Sequence, residues 1–414
     1  MFLKFFNKND YALLTNSSYL YLSHFSDYLF TLFLLPFVAR TLGAVELGKI
    51  GIVQIFGIFI SLVMEFGSSL FLTREVARNR GKVNQIRTLV ETVITFKITL
   101  IPISLFITSI VYFSIPIFST IPHYILIVFL GSVFHGFAPF WYFEGEEKMK
   151  ELALSKIMFR IIGFILILFF VQDSNDGWKV LFIYSLTSLS ICIYLIINMI
   201  IAIGSIRPAS ISISIKLYNK ATKSFLITII PIIFQNVGIF MLSVFISPLQ
   251  LGIFYGVSRI YRAFNSLFSP LSQSFYPLIS TKYAKSKIES KSLIKNYLVL
   301  ISSLGVLFMI VLIFFSGQII SLLLGDEYLS GTKILRLFAL ILPLTAVSNS
   351  IGRQWLLAKG EDSYYLSLQV FSCLFALIFF HFCLNDFEAM SYPLSLIIYE
   401  SLSILLATFL LIKK

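Results

Sequence analysis

The chain has 414 residues, 58% of them hydrophobic and only 13% charged, with 44 Phe and 20 Tyr and a mean hydropathy of +0.91. A soluble domain is roughly half apolar and about a quarter charged, so these values exclude a soluble enzyme, a disordered chain, a coiled coil and a disulfide-stapled secreted domain; they leave a protein whose solvent is mostly lipid. The net charge of +12 lies in short basic clusters between apolar runs, a pattern that meets anionic headgroups rather than nucleic acid.

A helix needs about 20 mostly apolar residues to cross the hydrocarbon core. Twelve such runs are predicted, at 12–38, 47–71, 88–113, 122–143, 152–171, 179–203, 223–247, 250–279, 294–324, 333–357, 363–384 and 390–411. The first is too long for a cleavable signal peptide and lacks a small-residue cleavage site. It carries a short polar stripe of Asn16, Ser23, Asp27 and Thr31, with Pro36 near its far end. Asp27 reads equally as a proton or cation site and as the partner of a basic residue. Further charges fall inside the second span (Glu65), the third (Lys97), the fifth (Arg160), the eighth (Arg259, Arg262) and the twelfth (Glu400). Charge in hydrocarbon is expensive and marks a functional candidate, although Glu65 and Arg160 lie near span ends, from which they can snorkel to headgroups.

The fourth span ends in Pro139, Trp141 and Tyr142 followed by Gly145. Here the proline is expected to bend the helix, the aromatics to sit at headgroup level, and Gly145 to end the helix with positive φ. Glu144, Glu146 and Glu147 with Lys148 and Lys150 read as a solvated face. In the seventh span Pro231 and Gln235 with Asn236 read as a structural kink in preference to an ion ligand, both open because proline frees a carbonyl near polar side chains. The eighth span is the most informative. Tyr255, Arg259, Arg262, Ser266, Ser269, Gln273 and Tyr276 recur at alternating spacings of four and three, which is one helix face. Two readings stand: arginines paired with carboxylates as structural cross-links, or the cationic wall of a water-filled cavity suited to phosphate, which the guanidinium fork recognises in pairs.

The charge pattern sets the topology. With the N-terminus inside, 23 of the 32 basic residues fall on the cytoplasmic side, as the positive-inside rule requires, and both termini are cytoplasmic. The broad basic gap after Gly204 then divides the spans six and six: an N-terminal lobe 1–204, a cytoplasmic linker 205–222 and a C-terminal lobe 223–414. Leu47-Gly48 and Leu251-Gly252 stand at equivalent places in the two halves, which favours an internal repeat. Catalytic signatures such as HExxH, a P-loop or GxSxG do not occur, so no enzyme and no cofactor is expected. The four histidines (His24, His123, His135, His381) are scattered along the chain. Cys192, Cys373 and Cys383 lie inside apolar runs without metal-ligand spacing, so they read as packing residues.

Residues 137–149, Phe-Ala-Pro-Phe-Trp-Tyr-Phe-Glu-Gly-Glu-Glu-Lys-Met, resemble the P-x-W-x-F-Q-G-x-E-x-M signature of bacterial polysaccharide flippases, the Wzx-type O-antigen and capsule translocases. Glu144 stands where that family usually has Gln. Arg40-Thr41-Leu42-Gly43, Glu65-Phe66-Gly67 with Thr73-Arg74-Glu75-Val76-Ala77, and Pro277-Leu278-Ile279-Ser280 are similar to further segments of the family. The resemblance implies the MATE-like fold: an all-α polytopic protein of two six-helix lobes around a cavity. It also implies an undecaprenyl-diphosphate-linked oligosaccharide as cargo, flipped to the periplasmic leaflet of the bacterial inner membrane.

On this reading Arg259, Arg262, Tyr255, Ser266, Gln273 and Lys97 bind cargo. Asp27, Glu65 and Glu400 are coupling candidates for H+ or Na+. Pro139, Trp141, Gly145 and Glu146 belong to a structural motif. Expected partners are membrane lipids and the polysaccharide polymerase and chain-length machinery. Two alternatives stay open: a multidrug or cation exporter of the same superfamily, which should line its cavity with acids, and a membrane polymerase or acyltransferase, which usually carries a large outer loop.

Overall fold

The computed structural model describes residues 8–67, 71–269, 271–272, 275, 279, 283, 286–357, 359 and 361–413. Every regular element among them is helical. In chain order these are α1 (Lys8–Glu65), α2 (Thr73–Arg78), α3 (Val83–Ser114), α4 (Pro116–Ser119), α5 (Pro122–Phe137), α6 (Phe140–Gly145), α7 (Met149–Phe170), α8 (Gly177–Ile203), α9 (Ile211–Phe245) and α10 (Pro248–Ser266). They continue as α11 (Lys287–Phe314), α12 (Ser316–Leu323), α13 (Thr332–Asn349), α14 (Asp362–Phe387) and α15 (Ser391–Lys413). Eight helical segments among the described residues are long and apolar enough to cross a membrane. Their outward faces carry bare aromatic rings, with Phe113 84%, Phe382 75% and Phe314 72% exposed. Rings held this open belong in lipid, where exposure costs nothing.

Local chemistry accounts for the breaks. The helical stretch α1 is interrupted at Gly43 (φ 76, ψ 171), a conformation that glycine adopts without a Cβ penalty. Pro122 and Pro248 each stand in the first turn of their helices, where the missing N–H is harmless. Ser247 and Gln250 form a reciprocal capping box that starts α10. The linker after Gly204 is non-helical only as far as Ser210; from Ile211 it is already part of α9.

The chain forms two compact units, residues 1–34 with 52–233 and residues 35–51 with 234–414. In the first, Leu72, Val76, Val90, Trp141, Tyr142, Phe143, Leu152 and Leu195 share one core cluster. In the second, Phe254 meets Phe338 (5.7 Å) and Tyr392 (5.9 Å), and Tyr261 stacks on Phe338 at 4.7 Å.

Segment 35–51 is held in the second unit by polar contacts as well as packing. Arg40 donates to the carbonyls of Ser321 (3.0 Å) and Leu322 (2.7 Å) at the C-terminal end of α12, where a cation satisfies otherwise orphaned acceptors. The Ala44 N–H donates to Glu327 (3.0 Å) and the Tyr328 hydroxyl to the Ala39 carbonyl (3.1 Å).

Candidate functional site

The second unit carries the arginine face. The capping box fixes where α10 begins, and the helical repeat then carries Tyr255, Arg259, Arg262 and Ser266 along one side. Tyr255 is 5% exposed, its ring pressed against Gly51, where an added Cβ would stand 2.6 Å from ring carbons. The Arg259 guanidinium lies 4.8 Å from the centre of that ring and donates to the Tyr255 hydroxyl. Arg262 directs both terminal nitrogens at the Asn236 side-chain oxygen on α9, each at 3.4 Å. Ser266 turns its hydroxyl back to the Ala263 carbonyl (2.6 Å). Gln273 and Tyr276 lie outside the described residues, as do the side chains of Asn16, Ser23, Asp27 and Thr31.

Glu400 on α15 accepts from the Thr345 hydroxyl (3.0 Å). Glu91 accepts from the Arg207 backbone N–H (2.8 Å). Both carboxylates therefore have neutral donors as partners, Glu400 in a partly buried position and Glu91 in an exposed one.

The first unit holds a second polar group. Glu65 Oε1 and His135 Nε2 pair at 3.7 Å between α1 and α5. The pair borders a cavity of about 370 Å³ whose walls include Gln54, Ser61, Ser132, Tyr184, Ser185 and Ser188. Lys97 on α3 is 1% exposed and donates its ammonium to the Gly136 carbonyl on α5. Lys156 on α7 lies 4.4 Å from the centre of the Phe140 ring. Lys97 and Lys156 both act electrostatically on Glu65 and on His135.

His135 is the residue that sequence reading passed over, treated as one of four scattered histidines. A signal was present. Ser61 and Glu65 stand four apart, Ser132 and His135 three apart, and Ser185 and Ser188 three apart, so each of three apolar helices turns small polar groups to one face.

The aromatic signature behaves differently from its expected picture. Pro139 breaks the helix between α5 and α6, as expected of a proline. Trp141 and Tyr142, expected at headgroup level, are 3% and 2% exposed and buried in the core; the break turns them inward. Gly145, expected to end the helix with positive φ, is the last residue of α6, and the left-handed residue is Glu147 (φ 59). What requires glycine here is closeness, since a Cβ at Gly145 would stand 2.5 Å from the Cβ of Val76.

The acids that follow are not a plain solvated face either. Glu144 accepts from Thr73 (3.2 Å) and Glu147 pairs with Arg80 (3.2 Å), while Arg80 also donates to the Gly145 carbonyl (2.7 Å). Glu146 is partly buried beside them. The signature thus braces segment 73–80.

Among the described residues no three His, Cys, Asp or Glu side chains cluster to hold a metal ion. Helices long and apolar enough to cross a membrane, with aromatic rings bare on their outward faces, define a multi-pass membrane protein. The chain belongs to the family described as polysaccharide biosynthesis protein, which matches residues 13–283.

A protein of Escherichia coli (strain K12) named as a candidate O-antigen transporter is 27% identical over 383 residues, 90% of each chain. One of the same name from Shigella dysenteriae is 26% identical over 371 residues, 87% of this chain and 90% of that one. Among solved structures, the lipid II flippase MurJ in an inward closed conformation has a TM-score of 0.73 at 16% identity, over 96% of this chain and 87% of that one. A MATE in the bent conformation has a TM-score of 0.60 at 14% identity, over 96% and 94%. The all-helical fold of this chain is therefore similar to that of MurJ and the MATE structure.

Proposed function

We propose that this protein is a flippase. It carries an undecaprenyl-diphosphate-linked oligosaccharide repeat unit from the cytoplasmic to the periplasmic leaflet of the bacterial inner membrane. The observation that carries the reading is the Arg259–Arg262 pair on one face of α10. Two guanidinium forks at that spacing offer paired donors to a diphosphate, while the prenyl tail stays in lipid. The names of the relatives, candidate O-antigen transporters matched over 90% of their length, point the same way.

Tyr255 holds Arg259 and Asn236 holds Arg262, so the donors are pre-positioned before cargo arrives. Ser266, Gln273 and Lys97 complete the set of polar groups offered to cargo. The chain spans the membrane twelve times in two six-helix lobes with both termini in the cytoplasm, and rocking of the lobes exposes the site to each side in turn. Alternating access needs no covalent chemistry, so the protein is a carrier and not an enzyme. An H+ or Na+ gradient supplies the energy through Asp27, Glu65 or Glu400, and polymerase and chain-length proteins receive the product.

The test is complementation of a strain deleted for this gene. Wild type restores surface polysaccharide; Arg259→Ala and Arg262→Ala insert normally and do not. Normal polysaccharide from both variants at near-native abundance overturns the reading.

A further inference from the structure

An open cavity beside the first turns of α3 is lined by side chains that meet hydroxyls rather than charges. We propose that it holds an uncharged, hydroxyl-rich sugar of the lipid-linked cargo before translocation, a role that rests on the flippase reading above. The helical repeat sets the lining. Asn84, Thr88 and Thr92 follow at intervals of four on α3, and Gln85 and Leu89 make a second row of the same spacing. Ile213 and Leu217, four apart on α9, and Asn79, just after α2, complete it. The cavity measures about 610 Å³, within the range of about 300–1,000 Å³ of small-molecule sites.

The polar groups of the lining remain available. Asn84, Gln85 and Thr88 are exposed, and among the described residues no hydrogen bond occupies the Asn84 or Gln85 carboxamide. Thr88 donates to the Asn84 carbonyl (3.1 Å) and Thr92 to the Thr88 carbonyl (2.7 Å), so each hydroxyl oxygen keeps lone pairs to offer. A carboxamide both donates and accepts, as does every sugar hydroxyl. Leu89, Ile213 and Leu217 present apolar surface to the C–H faces of a sugar ring. An apolar lining with a few placed polar groups is the usual make-up of a small-molecule site.

No charged side chain lines the cavity. Nearby bases are engaged elsewhere: Arg78 pairs with Glu75 (3.1 Å), Arg80 pairs with Glu147 (3.2 Å), and Arg87 donates to the Ile203 carbonyl (2.8 Å). Lys82, Lys216 and Lys220 are exposed beside it in sequence but are not part of its lining. A phosphate or an anionic lipid headgroup is recognised by guanidinium and ammonium donors, so this lining selects a neutral polyol.

The cavity is also preformed. The adjoining face of α3 grips the segment that leads into α9. Glu91 accepts from the Arg207 N–H (2.8 Å), Thr95 accepts from the Ala209 N–H (3.0 Å), and Ser214 donates to the Thr92 carbonyl (3.0 Å). With the start of α9 tied to α3, little ordering is left to be done when a ligand arrives. Under the proposed topology the basic stretch 74–87 and the linker 205–222 face the cytoplasm, the side from which cargo starts.

The experiment uses the full chain in phosphatidylcholine nanodiscs. The probe is the free oligosaccharide released by mild acid from the lipid-linked cargo that the deletion strain accumulates. Saturation-transfer NMR should show binding to wild type, and excess inorganic diphosphate should leave the signal unchanged. The double variant Asn84→Ala with Gln85→Ala should bind about 25-fold more weakly, about fivefold for each hydrogen bond lost. Asn198→Ala, a carboxamide on α8 outside the lining, should match wild type. No transfer with wild type, unchanged transfer with the double variant, or loss of the signal to diphosphate overturns the inference.

Should the double variant fail to accumulate, Thr88→Val decides the matter, since it removes one exposed hydroxyl at nearly equal volume. Binding about fivefold weaker supports the site, and unchanged binding refutes it. In cells the double variant, at near-native abundance, should restore less surface polysaccharide than wild type. A wild type that restores none sinks the flippase reading itself. Full restoration by both wild type and the double variant sinks only this inference.

Discussion

Gly48 and Gly252 pack backbone to backbone. A Cβ on Gly48 would stand 2.8 Å from the Gly252 nitrogen, and a Cβ on Gly252 would stand 1.7 Å from the Ala44 carbonyl oxygen. These are the glycines of the two Leu-Gly echoes, one from each half of the sequence, and both belong to the second unit. Small residues let membrane helices approach this closely and gain dispersion energy along their backbones.

Replacing Gly252 by Val should therefore prevent accumulation of the protein in the membrane. Gly317, which has nothing within 4 Å of an added Cβ, should accept Ala at unchanged abundance. Immunoblots of membranes from matched cultures check both, and near-normal levels of Gly252→Val would show that the close approach is dispensable.

Gly145→Val should lower protein level and surface polysaccharide together. The new side chain collides with Val76, and overpacking of this kind costs about 1–3 kcal/mol or more. An abundant protein that has lost transport alone would mean that the signature acts on cargo rather than on the brace between segments 73–80 and 140–147.

Tyr328→Phe removes one buried hydrogen bond, from its hydroxyl to the Ala39 carbonyl, and leaves the ring in place. Stability should drop by about 1 kcal/mol, read as a modest fall in the melting temperature of the detergent-purified protein. An unchanged melting temperature would mean that segment 35–51 is held by packing alone.

Arg259→Lys and Arg262→Lys should restore surface polysaccharide only in part. Lysine keeps the charge, but it lacks the planar fork that meets Asn236 and that would meet a diphosphate with paired donors. Full restoration by lysine, measured against wild type at equal abundance, would reduce the site to a point charge.

The sequence by itself determined the solvent, the helical class and the stripe on α10. Apolar run length and the spacing of polar residues are properties of consecutive residues, governed by bilayer thickness and the helical repeat. The echo of Leu47-Gly48 in Leu251-Gly252 was visible for the same reason. The tertiary structure decided which polar groups meet. Glu65 and His135 lie seventy residues apart and become partners only because α1 and α5 pack with those faces together. The sequence shows Lys97 as a charge inside an apolar span, and packing sets its ammonium on the Gly136 carbonyl. The need for glycine at 145 looks like a turn in the sequence, but in the structure it is contact with Val76, a residue on another element. Each of these depends on how helices are rotated and docked. That is set by side-chain interdigitation across the whole bundle, and no stretch of neighbouring residues contains it.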